Sequence, residues 1–146
     1  MGKAWIGSAA VVLGGALALP AMADEAGWGL RQDNPVAVCE PAGQRAWLRQ
    51  LRCADGSELS WQRSGSVGPR VELPADLPMA ELEKTMSGEP LADGEVDYHA
   101  IDAYQVDCGG KARMLYLDMY HCELPAPQRA PAGFLFVAAE PASSDS

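Results

Sequence analysis

A pair of glycines, Gly109 and Gly110, stands between two β-rich stretches and constrains the fold of this chain more than any other feature. The stretches run over 98–108 and 111–122, and both contain alternating aromatic, aliphatic and polar side chains. Two consecutive glycines supply the positive φ angles that a tight hairpin turn needs. The sequence therefore predicts an antiparallel hairpin over 97–122.

The two-residue turn also fixes the register of this hairpin, with Cys108 opposite Lys111 and Asp102 opposite Leu117. Side chains alternate between the two faces of a strand. One face then has the composition of a core: Tyr98, Tyr104, Val106, Leu115, Leu117, Met119 and His121. The other face is aromatic and polar: His99, Ile101, Ala103, Met114, Tyr116, Asp118 and Tyr120. We expect Ile101, Tyr116 and Tyr120 to form a binding surface, if no other element covers that second face.

Four cysteines, Cys39, Cys53, Cys108 and Cys122, predict two disulfides. A straight strand would separate Cys108 from Cys122 by about 46 Å, since each residue advances about 3.3 Å, whereas bonded cysteines have Cα atoms within about 7 Å. This speaks against the pairing of Cys39 with Cys53 and Cys108 with Cys122. Of the three possible connectivities we prefer Cys53 with Cys108 and Cys39 with Cys122. Four thiolates holding zinc are the alternative, but such ligands usually come in closely spaced pairs.

The first 23 residues have the organisation of a cleavable export signal. Lys3 precedes an uncharged apolar run over 6–19, and the small-x-small pattern of a cleavage site follows at 20–23. A membrane-spanning helix is the competing interpretation, but it needs about 20 apolar residues. We therefore expect a signal peptide over 1–23 and an exported product, periplasmic or secreted, in a compartment where disulfides persist.

The rest of the chain is long enough for a single domain. We expect a flexible N-terminal arm over 24–35, one globular domain over 36–138 and a disordered tail over 139–146. Within the domain, 45–53 and 59–63 alternate in polarity on either side of an Asp-Gly pair, which predicts another hairpin. A helix over 46–52 fits as well, because Trp47 and Leu51 are four residues apart.

The segment between the two hairpins divides into a connector and a helix. Glycines and prolines predict a connector over 64–74. Beyond it, Met79, Leu82 and Met86 recur at helical spacing and are expected to fill the core. The expected fold class is α+β: a small, mainly antiparallel β domain built on two hairpins with one short helix between them, stapled by two disulfides.

The charge of the chain excludes two classes of partner. Its formal net charge is −9 at pH 7, and loss of Lys3 with the signal peptide makes it one unit more negative. Binding to nucleic acids or to anionic lipids depends on cationic side chains. We therefore expect no nucleic acid partner, no membrane partner after signal cleavage, and an unknown protein or ligand of the envelope or the extracellular space instead.

The histidines offer little chemistry in this register. His99 and His121 are predicted on opposite faces of the hairpin, so they cannot share a metal ion unless the strand ends separate. No metal site and no cofactor are therefore expected from them. Asp93, Glu95 and Asp97 resemble the start of a calcium loop, but the glutamate required at its twelfth position is missing.

The candidate catalytic pair is His99 with Asp118, which are diagonal neighbours across the strands. A carboxylate can orient an imidazole as a general base, but no serine stands in a G-x-S-x-G motif. The sequence thus favours a small exported, disulfide-stabilised, non-catalytic binding or interaction protein of the bacterial envelope, with its ligand unknown. The alternatives are a small secreted hydrolase that uses His99 and Asp118, and a weak metal-binding protein.

Overall fold

The computed structural model describes Gly2 and residues 25–139. The predicted signal peptide, apart from Gly2, and the predicted tail beyond residue 139 lie outside the described residues. The helices and strands follow in the order β1 (Val36–Ala37), α1 (Glu40–Arg49), β2 (Leu51–Cys53), β3 (Ser60–Pro69), α2 (Met79–Glu83), β4 (Ala100–Cys108), β5 (Lys111–Asp118) and β6 (Phe134–Phe136). Short 3-10 turns occupy Glu25–Gly27 and Lys84–Met86.

Strands β4 and β5 form the hairpin that the double glycine predicts, in the predicted register. Asp102 pairs with Leu117 and Cys108 pairs with Lys111, and both turn glycines have positive φ angles. This hairpin is the centre of a four-stranded sheet with the order β1-β5-β4-β3, in which β1 runs parallel to β5 and the other neighbours are antiparallel. Strands β2 and β6 form a separate antiparallel pair.

The other predicted hairpin is not confirmed. Residues 40–49 form α1, because Gln44, Trp47 and Leu48 all lie on one side of a helix and are buried there. Strand β2 then pairs with β6, while β3 pairs with β4, so a single isolated bridge joins 51–53 to the residues that precede β3. The broad α+β class stands, with two short helices and mixed or antiparallel sheets.

The connector predicted over 64–74 is also wrong in its first half. Strand β3 continues to Pro69, and its register shifts between Arg63 and Gly65 and again between Ser66 and Gly68. The residues without a partner on β4 are Ser64 and Val67, and the glycine after each has a positive φ angle, which accommodates the β-bulge. The glycines therefore bend this edge strand instead of ending it.

A hydrophobic core joins α1 to one face of the sheet, and the predicted core face of the hairpin is confirmed at its centre. Its buried members are Trp28, Val36, Val38, Trp47, Leu48, Leu51, Tyr104, Val106, Leu115, Leu117 and Phe134. Trp28, which precedes the strands, packs edge-on against Trp47 with ring centroids 6.1 Å apart. The residues before β1 thus contribute to the core.

The opposite face of the sheet is not the exposed surface that the alternation suggests. Ile101 is 0% exposed, and Ala103 beside it is equally buried. Ile101 therefore cannot contact a partner at the surface, and its predicted binding role is wrong. Tyr116 and Tyr120 are half-buried, and binding at these two tyrosines stays a prediction.

One buried carboxylate on the core face is neutralised within the fold. Asp102 accepts two hydrogen bonds from the Arg63 guanidinium, at 3.2 and 2.8 Å, and one from the Gln44 amide at 3.0 Å. The Tyr104 hydroxyl donates to the other end of the same amide at 2.6 Å. A buried charge that is paired and hydrogen-bonded in this way is tolerated in a core.

The disulfides have the predicted connectivity, Cys39 with Cys122 and Cys53 with Cys108. They close loops of 83 and 55 residues, for which chain entropy alone gives about 4 kcal/mol of stabilisation each. All four cysteines are bonded, so no thiol is free for catalysis. Two disulfides are consistent with an exported protein, and no helix in the described part of the chain is long and apolar enough to cross a membrane.

Candidate metal centre

A cluster of titratable side chains occupies the end of the β4–β5 hairpin that lies away from the glycine turn. Asp97 and His99 precede β4, Asp118 ends β5, and His121 follows it. Beyond Asp118 the chain leaves β4 and pairs with the segment after β1, where the His121 amide donates to the Val38 carbonyl at 3.0 Å. The two strand ends therefore separate, and His121 turns toward His99.

The four side chains converge on a common point. His99 Nδ1 lies 3.0 Å from Asp97 Oδ1 and 3.2 Å from Asp118 Oδ2. His121 Nε2 lies 2.8 Å from Asp97 Oδ2 and 3.0 Å from Asp118 Oδ2. The two imidazole nitrogens, His99 Nδ1 and His121 Nε2, are 3.3 Å apart. The prediction that the histidines cannot share a metal ion is therefore wrong, because the register of the hairpin does not extend to its separated ends.

The cluster is nearly closed to solvent. His99 is 2% exposed and Asp118 is 0% exposed. The accessible side is formed by Asp97 and by Arg70, whose side chains retain partial exposure. A surface groove of about 670 Å³ lies beside Arg70.

Further residues hold the cluster from outside. Arg70 Nη2 donates to Asp118 Oδ2 at 3.0 Å and lies 3.3 Å from Asp97 Oδ2. On the opposite side, His121 Nδ1 lies 2.9 Å from Glu123 Oε1. The Tyr120 ring packs on His99 with ring centroids 5.2 Å apart. Asp118 Oδ1 is occupied by the Tyr120 amide, which donates to it at 2.9 Å.

These contacts shift the pKa values of all four central groups. Burial opposes protonation of His99, but its hydrogen bonds to Asp118 and Asp97 outweigh that effect and raise its pKa to about 9. The same two carboxylates raise the pKa of His121 to about 10. Burial raises the carboxyl pKa values, but hydrogen bonds from the two histidines hold the pKa of Asp97 and that of Asp118 well below the usual range.

The charges within this cluster are balanced. Protonated His99 and His121 together with Arg70 face the carboxylates of Asp97, Asp118 and Glu123 at hydrogen-bond distance. A buried group of ions is tolerated only when each charge is paired. The three positive charges therefore balance the three negative charges in this mostly buried cluster.

The spacing of the donor atoms suits a metal ion. A tetrahedral Zn²⁺ with bonds of about 2.0–2.1 Å to nitrogen and oxygen holds its ligand atoms about 3.3 Å apart. Each of the two histidine nitrogens lies 2.8–3.2 Å from an oxygen of Asp97 and from one of Asp118, and the nitrogens are 3.3 Å apart. Among the described residues, one donor atom from each of the four side chains lies within 4.8 Å of the other three, so modest side-chain adjustments bring all four onto one ion.

The outer contacts suit a metal site as well. A histidine that binds a metal commonly directs its other ring nitrogen to a carboxylate, which fixes the tautomer. Glu123 occupies that position on His121, since it accepts from Nδ1 and leaves Nε2 to face the cluster. Imidazole and carboxylate together favour borderline divalent ions such as Zn²⁺.

Comparison with protein-family models, with curated proteins and with solved structures found no match to this chain. Fold does not imply function in any case. The chemistry of the cluster is therefore the basis for a functional assignment.

The structure does bring together the predicted pair of His99 and Asp118, but not as an accessible catalytic base. His99 Nε2 is enclosed and has no hydrogen-bond partner, so a substrate cannot reach it. With a pKa of about 9, this imidazole is also protonated at neutral pH, whereas a general base must be unprotonated. The geometry thus gives no support to the hydrolase alternative.

The sequence pattern does not identify two members of the cluster, Asp97 and His121, or the adjacent Arg70. Asp97 belongs to the calcium-like acidic run, the strand alternation predicts His121 on the core face, and Arg70 falls within the predicted connector. The sequence does contain a signal, because an Asp and a His occur close together at the start of β4, at 97 and 99, and at the end of β5, at 118 and 121. The hairpin register brings those ends side by side.

Proposed function

We propose that this chain is an exported, disulfide-stabilised protein that binds a divalent transition metal, Zn²⁺ by preference, through Asp97, His99, Asp118 and His121. One observation carries the proposal: two imidazole nitrogens lie 3.3 Å apart between two carboxylates in a buried site. Metal ligands are usually held close together in this manner before the ion arrives. Binding of a metal is a non-catalytic function, in keeping with the class that the sequence favours.

The balance of charge supports the same proposal. A metal ion binds neutral histidines, so its arrival displaces the protons of His99 and His121. One divalent cation then replaces two unit charges, and the total charge of the buried cluster does not change. The fold thus already contains the carboxylates that a buried dication requires.

The closed shape of the site favours storage or structural stabilisation over catalysis. Catalytic zinc sites usually have three protein ligands and an open position for water, whereas structural sites have four protein ligands. The cluster supplies four donors, and three of its members, His99, Asp118 and His121, are buried. A metal held here ties the start of β4 to the end of β5.

Export is part of the proposal and has two supports. The first 23 residues resemble a cleavable signal, and two disulfides that close long loops persist only in an oxidising compartment. A binding partner in the envelope or the extracellular space remains a prediction. Edman sequencing of the exported protein tests the first point, since the account expects the chain to begin at Asp24.

Metal binding is tested on the full exported protein with its disulfides intact. After removal of metal with a chelator, we expect the protein to take up one Zn²⁺ or Co²⁺ per chain, measured by elemental analysis and by the visible absorption of tetrahedral Co²⁺. The variants His121→Gln and Asp97→Asn should lose this uptake. Asp102→Asn is the matched control, because Asp102 is a similarly buried carboxylate outside the site.

Two results would contradict the proposal. The first is a wild-type protein that takes up no ion from micromolar Zn²⁺ or Co²⁺. The second is equal uptake by wild type and His121→Gln, because it would place the bound ion elsewhere. Circular dichroism of each variant separates loss of the ligand from loss of the fold.

A further inference from the structure

The segment over 71–96, here named the acidic excursion, leaves the sheet and returns to it at one point. At its base, the Arg70 amide donates to the His99 carbonyl at 2.9 Å, and Arg70 Nη2 lies 3.3 Å from Asp97 Oδ2. The 26 residues in between contain α2 and the 3-10 turn that follows it. The two ends of the excursion are therefore joined by contacts of Arg70 with His99 and Asp97.

The helical part of the excursion buries none of its side chains. A surface helix normally places its apolar stripe against the core, but Met79 is 68% exposed and Met86 is 69% exposed, with Leu82 exposed between them. Five of the ten exposed large hydrophobic side chains in the described part of the chain belong to the excursion: Val71, Met79, Leu82, Met86 and Val96. Apolar surface concentrated in this way typically marks a contact site.

The excursion is also strongly acidic. Its carboxylates are Glu72, Asp76, Glu81, Glu83, Glu89, Asp93 and Glu95. Lys84 is its single cation, which gives seven negative charges against one positive and a net charge of −6. Lys84 itself is engaged by Glu81 and Glu95, each at 3.2 Å. The single lysine of the excursion cannot neutralise its seven carboxylates, so the apolar stripe of Met79, Leu82 and Met86 lies in a strongly negative segment.

We propose that the acidic excursion is a docking surface for a cationic amphipathic segment of another protein. The apolar residues of that segment would pack on Met79, Leu82 and Met86, and its Lys and Arg side chains would pair with the surrounding carboxylates. Methionine suits such a surface, because its flexible thioether adapts to different apolar partners. Complementary charge brings the two chains together and selects the partner.

Charge also decides against other occupants of this surface. A second copy of the chain would bring another excursion with a net charge of −6 against the first, and like charges placed together oppose binding. Anionic lipid head groups are repelled for the same reason. The inference is independent of the metal site, since none of the four proposed ligands lies within 71–96.

The test uses the full exported protein and two synthetic helical peptides, one built of leucine and lysine and the other of leucine and glutamate. Fluorescence anisotropy of the labelled peptides measures binding. We expect the leucine–lysine peptide to bind, with an affinity that falls as salt is added, and the leucine–glutamate peptide not to bind. The double variant Met79→Ser, Met86→Ser should bind the first peptide at least about tenfold more weakly.

The control variant removes two exposed apolar side chains elsewhere, Leu124→Ser with Leu135→Ser, and should bind as wild type does. Because all four substituted positions are exposed, the variants should keep the wild-type melting temperature within a few degrees. Equal affinity of wild type and the methionine variant would overturn the inference. Equal affinity for the two peptides would also overturn it, as would a dimer of the protein that requires Met79 and Met86.

Discussion

His99 Nδ1 lies 3.3 Å from His121 Nε2, and both atoms contact Asp97 and Asp118. In the metal-free protein both nitrogens carry protons and donate them to the two carboxylates, which hold the two imidazolium groups together. His99 precedes β4 and His121 follows β5, so the pair joins the two strands at the end of the hairpin away from the turn. Changes in its charge therefore act on the fold and on metal binding together.

The stability of the metal-free protein should depend on pH through these four groups. The histidine pKa values are raised from 6.5 to about 9 and about 10, so their contribution is complete below pH 6.5 and is lost as the pH rises through those values. The carboxyl pKa values are lowered from 3.8, so their contribution is complete above pH 3.8 and is lost on acidification. We expect greatest stability between these two limits.

Urea unfolding in the presence of a chelator measures this dependence. The free energy of unfolding should decline from about pH 6.5 to about pH 10, and His121→Gln should show a smaller decline. A wild-type profile that stays flat over that alkaline range would show that the histidines do not carry their raised pKa values.

Replacement of Asp118 by Asn should destabilise the metal-free protein. This carboxylate is fully buried and contacts His99, His121 and Arg70, so its loss leaves buried cations without their partner. We expect the free energy of unfolding to fall by about 3 kcal/mol. The exposed carboxylate Asp93 is the control, and Asp93→Asn should change stability by less than about 0.5 kcal/mol. Similar effects of the two substitutions would contradict the account.

Arg70 should compete with the metal ion. Its guanidinium lies 3.0 Å from Asp118 Oδ2 and 3.3 Å from Asp97 Oδ2, and the ion needs the lone pairs of those same oxygens. We expect Arg70→Gln to bind Zn²⁺ about tenfold more tightly in competition with a chromophoric chelator, a difference of about 1.4 kcal/mol. Arg63→Gln should leave the affinity unchanged, because Arg63 pairs with Asp102. Weaker binding by Arg70→Gln would show that the arginine supports the site.

The two disulfides should contribute equally to stability but differ in their effect on the metal site. Replacement of either pair by alanine should lower the free energy of unfolding by about 4 kcal/mol. Cys122 directly follows His121, so loss of the Cys39–Cys122 bond should also weaken Zn²⁺ binding. Loss of the Cys53–Cys108 bond, at the turn end of β4, should leave the Zn²⁺ affinity of the folded fraction unchanged. Equal Zn²⁺ affinities in the two variants would contradict this assignment.

Replacement of Glu40 by glycine should stabilise the protein. Glu40 is the one non-glycine residue with a positive φ angle in the described part of the chain, at 59°, and a side chain in the left-handed region costs about 1–2 kcal/mol. Glycine removes that cost and adds chain entropy in the unfolded state, so we expect Glu40→Gly to stabilise the protein by about 0.5 kcal/mol. Glu58→Gly is the control and should not stabilise it.

The central hairpin could be predicted from the sequence, because short-range geometry determines it, and the same geometry narrows the disulfide pairings without determining them. Gly109 and Gly110 fix a two-residue turn, and the alternation of side chains then fixes the register. That register places Cys108 at the turn and Cys122 beyond the far end of the hairpin, which excludes a bond between them. Two connectivities remain after this step, and distances along the hairpin do not choose between them.

The pairing of β2 could not be predicted in the same way. Trp47 and Leu51 fit a helix and a strand equally well, and tertiary packing of Trp47 decides for the helix. Strand β2 then finds its partner in Phe134–Phe136, some 80 residues further along the chain. No local pattern contains information about a partner at that distance.

The cluster of Asp97, His99, Asp118 and His121 could not be predicted, because it lies where strand periodicity ends. His121 belongs to the core face as long as β5 is extended beyond Asp118, and it changes sides once the chain pairs with Val38 and Cys39 instead. Arg70 directly follows β3, and the glycines of 64–74 predict a connector there instead of a strand. Side chains just outside a regular strand are thus the least predictable, and here they form the proposed site.

X-ray absorption spectroscopy of the Zn²⁺-loaded protein at the zinc edge tests the central claim most directly. The account predicts four nitrogen or oxygen ligands at about 2.0–2.1 Å, with the multiple-scattering signature of two imidazoles and no sulfur at about 2.3 Å. A sulfur ligand, or a zinc ion surrounded by oxygen alone, would place the metal outside the cluster of Asp97, His99, Asp118 and His121 and would contradict the account.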